Sequence, residues 1–136
     1  MSKNNNIKVS VSAIIYNDQN EILLGLRNGS RWRDFFDLPG GKLEFGEHPN
    51  IALIREVKEE TNLDVEIEDN FVAYNSNVVE DRHYLTLFLK AKIKNNSPEL
   101  TNLEPHKHEY FKWYDIYNLP SPLLMSIEEF LPNYLV

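Results

Sequence analysis

Residues 38–63 read LPGGKLEFGEHPNIALIREVKEETNL, a Pro-Gly-Gly turn followed by a predicted helix that carries clustered carboxylates. Glu56, Glu59 and Glu60 stand at i, i+3 and i+4, so at about 100° per residue all three lie on one side of the helix. Like charges at this spacing repel by roughly 0.2–0.5 kcal/mol per pair, so the cluster costs stability unless a cation lies nearby. Such oxygen ligands suit Mg²⁺, Mn²⁺ or Ca²⁺, although a solvated acidic face is the simpler explanation of three carboxylates alone.

The ends of this helix can be predicted from residue types. Pro49 suits the first helical position, which makes His48 the N-cap, a weak cap by residue type. Asn62 follows the last turn, and Asn is the non-glycine residue that best tolerates the left-handed conformation common at helix ends. A mostly apolar stripe, which we expect to face the core, consists of Asn50, Leu53, Ile54, Val57 and Thr61.

The chain as a whole is short, acidic and free of cysteine. Its 136 residues predict a single domain, residues 1–136, large enough for an ordinary core. A formal charge of −7 argues against nucleic acid polymers as partners, whereas divalent cations can bridge an acidic protein to a polyphosphate. The absence of cysteine fits a cytoplasmic location. The chain lacks an apolar run long enough to span a membrane, and the N-terminal MSKNNN lacks the apolar part of a secretory signal.

Strands are predicted on both sides of the central helix. Ile7–Tyr16 and Glu21–Arg27 read as two strands joined by a polar turn, which predicts a hairpin. The later predicted strands are Val65–Ile67, Phe71–Val79, His83–Ile93 and Tyr110–Tyr114. Ser121-Pro122 is a favourable cap and first-turn pair, which predicts a terminal helix through about Leu131. We therefore expect an α+β fold with a mixed β-sheet sandwiched between α-helices.

The spacing of the motif points to a family. The motif consists of Gly41, five residues, Glu47, seven residues and then Arg55-Glu56-Val57-Lys58-Glu59-Glu60-Thr61-Asn62-Leu63. This pattern resembles the signature of the Nudix hydrolases, G-x5-E-x7-R-E-U-x-E-E-x-G-U with U aliphatic. The one departure is Asn62 in place of Gly, which is conservative for the turn and irrelevant to the chemistry. The resemblance implies an α/β/α sandwich and a hydrolase that acts on nucleotides.

Segments outside the motif are similar to one subgroup of this family. NDQNEILLGLR matches the family's second strand, and FDLP stands where many members have Trp-x-Leu-Pro. Two later segments resemble MutT-type nucleoside triphosphate diphosphatases, which include the human enzyme that clears thiopurine nucleotides. These segments are HYLTLFLKAKI and NLEPHKHEYFKWYDIYNLP. The implied reaction converts an NTP or dNTP, with a modified base in some cases, to the monophosphate and pyrophosphate.

Three alternatives remain beside this reading. The first is a Nudix hydrolase of another diphosphate-linked compound, such as ADP-ribose or a nucleotide sugar. The second is a nucleotide-binding module that kept the fold and lost catalysis, which the intact Arg-Glu and Glu-Glu pairs of the motif argue against. The third is a structural acidic helix without a metal.

The resemblance assigns metal ligands to the motif. Glu56, Glu59 and Glu60 would hold one or more Mg²⁺ ions, with Mn²⁺ as a possible substitute, and the carbonyl of Gly40 would supply a further ligand. Glycine at this turn lets the backbone approach the metal and the phosphates closely. The partner implied is a small nucleotide substrate, and relatives of this kind suggest a homodimer by analogy.

The resemblance also assigns residues to catalysis and substrate binding. Glu56 is the first candidate for the base that activates water, and Glu109, in a late loop, is the second. Arg55 would orient the glutamates, and Glu47 would act as a ligand or as a partner that supports one. The residues expected to contact substrate are Arg27, Leu38, Gly40, Gly41, Lys42 and Thr86.

Histidine and aromatic residues give weaker indications. His106 and His108 form a His-x-His pair, but the lack of cysteine and of a third clustered histidine argues against zinc. Aromatic side chains can stack on a base, although in a domain of this size they more often belong to the core. The candidates are Trp32, Phe111, Trp113 and Tyr114.

Overall fold

The computed structural model describes residues 6–129 and 131–135. Its strands are β1 (Ile7–Ile15), β2 (Glu21–Arg27), β3 (Phe36–Asp37), β4 (Gly40–Lys42), β5 (Val65–Val79), β6 (Arg82–Ile93) and β7 (His108–Asp115). Its helices are α1 (Pro49–Thr61), α2 (Met125–Glu128) and α3 (Leu131–Leu135). The polar N-terminus, residues 1–5, lies outside the described residues, and within the described part no helix is long and apolar enough to cross a membrane.

The strands form two sheets. The larger has the order β4-β1-β6-β5, with β1 and β6 parallel and the other neighbours antiparallel. The smaller is antiparallel, with the order β3-β2-β7. The expected mixed sheet is therefore confirmed. β5 is one long strand where two were predicted, and its register against β6 shifts between Ile67 and Ala73.

Side chains of β1 point alternately into two hydrophobic cores. Val11 and Ala13 pack with Leu53 of α1 in one core, whereas Ile14 packs with Ile127 of α2 in the other. All five are fully buried. Helices therefore cover both faces of the larger sheet, which confirms the sandwich and explains why the last three residues of β1, residues 13–15, are all apolar and buried.

Helix α1 begins and ends where its residue types predict. His48 is the N-cap, and its Nδ1 accepts a hydrogen bond from the backbone nitrogen of Asn50 at 3.1 Å, with Pro49 in the first turn. Asn62 is left-handed, with φ of 67°, and its backbone nitrogen donates to the carbonyl of Lys58 at 3.0 Å. The buried members of the predicted stripe are Leu53, Val57 and Thr61.

The predicted hairpin between the first two strands is wrong. β1 and β2 belong to different sheets, and one bridge between Tyr16 and Ile22 links them at the turn. The end of β1 and the centre of β2 are apolar on both faces, so each is buried between layers there, and each strand pairs with strands that come later in the sequence. An apolar run by itself does not specify which later strand satisfies its backbone hydrogen bonds.

The terminal helix begins later than Ser121-Pro122 predicted. The segment 122–124 is extended and pairs with β3: the Phe36 nitrogen donates to the carbonyl of Pro122, and the Leu124 nitrogen donates to the carbonyl of Phe36, both at 2.8 Å. These bonds take the place of the first helical turn, and Leu124 becomes the N-cap of α2. The predicted helix also crosses residue 130, which lies outside the described residues.

Candidate active site

A cavity of about 230 Å³ lies where the two sheets meet the last turn of α1. Its wall includes charged and polar residues from several elements, among them Arg27 of β2, Asp37 of β3, Glu60 of α1, Thr86 of β6 and His108 of β7. A second space of about 270 Å³ shares Arg31, Trp32, Val79 and Tyr84 with it. Concave sites that bring a few polar groups together on apolar walls are typical of small-molecule binding.

Arg55 ties the turn before α1 to the carboxylates on the helix. Its Nε and Nη2 donate to the carboxylate of Glu47 at 2.8 and 2.9 Å, and its Nη1 donates to Glu56 at 2.9 Å. Nη1 also lies 3.4 Å from Glu59, and Nη2 donates to the Lys42 carbonyl at 3.2 Å. The hydrogen bonds from Arg55 lower the pKa of Glu47 to about 2. Of the two roles expected for Glu47, this geometry is that of a partner that fixes the arginine.

Glu60 is a carboxylate that the fold buries. It is 4% exposed, and its Oε1 accepts a hydrogen bond from the backbone nitrogen of Gly40 at 2.9 Å. Burial raises the pKa of Glu60 well above its ordinary value; the Gly40 bond opposes this, and the charges of Asp37, Glu56 and Glu104 add to it. A buried carboxylate with acidic neighbours lacks positive charge around it.

The carboxylates near the glycine turn suit a hard divalent cation. Burial also raises the pKa of Glu56, against the opposing effect of Arg55, while Glu59 is half exposed. A Cβ at Gly41 would overlap the Glu56 carboxylate, so the turn and the helix are in direct contact there. Within the described residues, no three acidic or histidine side chains form a ready metal-binding cluster, and Arg55 contacts both Glu56 and Glu59. By charge and chemistry, Glu56 and Glu60 fit such an ion best.

His108 lies beside Glu60, which the sequence did not reveal. It is 4% exposed, and its Nδ1 is buried 3.9 Å from Glu60 Oε2 without a hydrogen-bond partner in the described part of the chain. Burial lowers the pKa of His108 to about 4, so the ring is neutral at pH 7 and the two side chains do not form an ion pair. Strand alternation gives no signal for it, because a register shift between β2 and β7 lets His108 and Phe111, three residues apart, both be buried with their rings 4.6 Å apart.

The late carboxylate near Glu60 is Glu104 rather than Glu109. Glu109 is exposed, next to buried His108 on β7. Glu104 lies close enough to raise the pKa of Glu60, and its Oε1 is buried with no hydrogen-bond partner among the described residues. The nitrogen of Leu103 donates to the Glu60 carbonyl at 3.0 Å and so holds this loop against α1.

Most residues expected to contact substrate do lie in the cavity wall. Those in the wall are Arg27, Leu38, Gly40, Gly41 and Thr86. Lys42 is exposed and does not line it. Of the aromatic candidates, Trp32 lines the cavity, whereas Phe111, Trp113 and Tyr114 belong to the cores or pack against them. Asp37, Arg31 and Tyr84 also line it, and the sequence analysis did not select them.

Comparison with known proteins agrees with this geometry. Residues 6–134 match the NUDIX domain, so the chain belongs to the Nudix hydrolase family and is a pyrophosphohydrolase. It is 32% identical over 128 residues to an ADP-ribose pyrophosphatase of Methanocaldococcus jannaschii, which covers 93% of this chain and 72% of that protein. It is 34% identical over 95 residues to an 8-oxo-dGTP diphosphatase of Proteus vulgaris, which covers 68% of this chain and 84% of that protein.

Solved structures are also similar. The MutT NUDIX hydrolase from Burkholderia pseudomallei matches with a TM-score of 0.78 at 27% identity, over 88% of this chain and 92% of that one. The two sequence relatives are named for different substrates, so the comparisons establish the family and its class of reaction.

Proposed function

We propose that this Nudix hydrolase converts a nucleoside triphosphate, an NTP or dNTP with an ordinary or modified base, to the monophosphate and pyrophosphate. The observation that carries the proposal is the position of the cavity, whose wall contains both the Gly40–Gly41 turn and the buried carboxylate of Glu60. A nucleoside held there would direct its phosphates toward the acidic face of α1. The resemblance of NLEPHKHEYFKW to MutT-type enzymes and the Proteus vulgaris relative support the choice of a triphosphate.

The acidic face requires a cation before it can accept a polyphosphate. We assign Mg²⁺, with Mn²⁺ as a substitute, to Glu56, Glu59 and Glu60, together with the carbonyl of Gly40. When bound, such an ion neutralises charge on the phosphoryl oxygens and lowers the pKa of a coordinated water. The burial that raises the pKa values of Glu56 and Glu60 supports this assignment, because a cation would stabilise both charged carboxylates; Arg55 already contacts Glu56, whereas Glu60 has acidic neighbours.

The side chains themselves position the reactants and move a proton. Phosphoryl transfer depends mainly on positioning and on cancelling charge. Arg55 fixes Glu56 and Glu59, and Glu47 fixes Arg55 through two hydrogen bonds. Glu56 accepts the proton of the attacking water, and its hydrogen bond from Arg55 holds the carboxylate in position for that role. Glu104 takes the place of Glu109 as the second candidate for this role.

The test is a substrate panel assayed for pyrophosphate release with Mg²⁺ and with Mg²⁺ chelated. The panel contains the common NTPs and dNTPs, an oxidised and a methylated dGTP, and ADP-ribose. We expect Mg²⁺-dependent pyrophosphate from one or a few triphosphates. Pyrophosphate release that survives chelation would contradict the metal assignment, and no pyrophosphate from any triphosphate would contradict the reaction.

ADP-ribose is the second candidate substrate. The match to the Methanocaldococcus jannaschii relative covers 93% of this chain, more than the 68% covered by the match to the 8-oxo-dGTP diphosphatase. The second space, beside Arg31 and Tyr84, adds room for the further sugar of a dinucleotide-like compound. AMP from ADP-ribose without pyrophosphate from any triphosphate would favour this candidate.

A further inference from the structure

We infer that Asp37 and Arg27 select a guanine-type base, one whose edge presents two adjacent N–H donors. The inference rests on the proposed nucleotide hydrolysis and names the base that the cavity takes. Both residues line the cavity, and their side chains are 14% and 27% exposed. A carboxylate in such a place is costly to bury without donors to satisfy it.

The carboxylate of Asp37 is fixed in place and retains the capacity to accept more hydrogen bonds. Its Oδ1 accepts from the backbone nitrogen of Leu38 at 2.8 Å, and its Oδ2 accepts from Nη1 of Arg27 at 3.0 Å. An ionised carboxylate offers about four lone-pair positions, so one bond to each oxygen leaves room for a second. Asp37 can therefore receive two parallel N–H groups.

Arg27 is held from two sides as well. Besides the contact with Asp37, its Nε donates to the carbonyl of Arg31 at 3.2 Å. Arg31 in turn donates from Nη1 to the hydroxyl of Tyr84 at 3.0 Å, which joins this loop to β6. The Asp37–Arg27 pair is thus pre-organised, and the guanidinium N–H groups not engaged in these bonds suit an acceptor beside the two donors.

Guanine is the common base that fits a carboxylate beside a guanidinium. Its N1–H and its 2-amino group stand side by side, and its O6 follows as an acceptor. Adenine and cytosine place a ring nitrogen acceptor next to their amino group, and uracil and thymine place one N–H between two carbonyl oxygens. Each of these edges would place an acceptor lone pair against the Asp37 carboxylate. A buried polar group would then lack a partner, which disfavours binding of these bases strongly.

Trp32 provides a surface for the face of the base. It lines the same cavity, and its ring meets Phe35 edge to face with centroids 6.0 Å apart. Stacking of bases on aromatic rings tolerates every base, so Trp32 would add affinity while Asp37 sets the choice.

The first experiment measures binding of GMP, IMP and AMP to the full chain by titration calorimetry. IMP differs from GMP only by the missing 2-amino group. We expect GMP to bind at least about tenfold more tightly than IMP, because Asp37 loses one of its two donors. Equal binding of GMP and IMP would overturn the inference.

The second experiment uses Asp37→Asn, with Asp64→Asn as the control. Asparagine offers one acceptor and one donor, which complements xanthine, where a 2-carbonyl replaces the 2-amino group. We expect Asp37→Asn to shift the GMP-to-XMP affinity ratio at least about tenfold toward XMP. Asp64 is a half-exposed partner of Lys58 outside the cavity, so its substitution should leave the ratio unchanged. An unchanged ratio in folded Asp37→Asn would contradict the inference; should that variant not fold, the GMP and IMP comparison in the wild type decides.

Binding of monophosphates separates this inference from the proposed reaction. A preference for GMP without pyrophosphate release from any triphosphate would contradict the reaction and leave the base assignment standing. Pyrophosphate release at equal kcat/KM from dGTP and dITP would contradict the base assignment and leave the proposed reaction standing.

Discussion

The carboxylate of Glu60, in the last turn of α1, accepts a hydrogen bond at 2.9 Å from the backbone nitrogen of Gly40, in the turn that precedes the helix. The bond joins the two halves of the motif and sets a buried negative charge in the cavity wall. Ordinary packing disfavours such a charge. The divalent cation proposed above, bound there together with a polyphosphate, would offset this cost.

Arg55→Lys should lower kcat by about 10- to 100-fold while the protein remains folded. Lysine keeps the charge, but it lacks the planar fork that contacts Glu47 twice and Glu56 once. Steady-state kinetics and thermal unfolding measure the two effects. The control is Lys58→Arg, on the same helix, where the ammonium meets half-exposed Asp64. A wild-type kcat in Arg55→Lys would show that charge alone is sufficient.

Alanine substitutions at three glycines should separate catalysis from folding. At Gly41 the new Cβ meets the flexible Glu56 side chain, so activity should fall with little change in the unfolding temperature. At Gly40 it meets backbone atoms of Val11 and Ser12, so the free energy of unfolding should drop by about 1–3 kcal/mol. Gly29→Ala is the control, because nothing lies within 4 Å of its Cβ position. Equal activity in the Gly41→Ala and Gly29→Ala variants would contradict the contact between the glycine turn and the Glu56 carboxylate.

Glu104→Gln should reduce activity, whereas Glu109→Gln should not. Glu104 lies near Glu60 and has a buried oxygen without a partner in the described residues, whereas Glu109 is exposed. The two variants make the same chemical change five residues apart, so each is the control of the other. Kinetics at saturating Mg²⁺, together with the Mn²⁺ affinity of each variant, measure the difference. A larger loss of activity in Glu109→Gln than in Glu104→Gln would support the prediction made from sequence, in which Glu109 is the second candidate base.

The free energy of unfolding should fall as the pH drops from 6.5 to about 4, partly because of His108. Burial lowers the pKa of His108 to about 4, whereas the unfolded chain keeps a value near 6.5. Between these two pKa values the unfolded chain binds more protons than the folded chain does, so a lower pH favours unfolding. This residue lowers the free energy of unfolding by at most about 3 kcal/mol.

Urea unfolding of wild type and His108→Gln across pH 4 to 7.5 isolates this effect from the carboxylates. The difference in free energy of unfolding between the two proteins should change over the window from 6.5 down to about 4 and be constant above it. His106→Gln, at an exposed neighbouring position, is the control. Parallel pH curves for wild type and His108→Gln would contradict the burial of a neutral histidine.

Local features of the fold could be predicted from the sequence. Pro49 and Asn62 mark the ends of α1 because first-turn proline and left-handed asparagine act through their own backbone preferences. The spacing of the motif likewise predicted which carboxylates share the helix face.

Features that depend on distant pairing could not be predicted. β1 and β2 look like a hairpin, but strands later in the sequence pair with each of them. The segment after Ser121 resembles a helix start, but its backbone bonds to Phe36. In the site, Asp37 and His108 lie on strands with no local pattern that marks them, and their importance appears only when three elements meet around Glu60.

The measurement that tests the central claim most directly is Mg²⁺-dependent pyrophosphate release by wild type, Glu60→Gln and Glu66→Gln. Glutamine at position 60 keeps an oxygen that can accept from Gly40, so the fold should persist without the carboxylate charge. Glu66 is a half-exposed partner of Lys92 outside the site, so Glu66→Gln should match the wild type. We predict that Glu60→Gln loses at least about 100-fold in kcat/KM. A wild-type rate in Glu60→Gln would contradict the claim and reduce the acidic face of α1 to a structural feature.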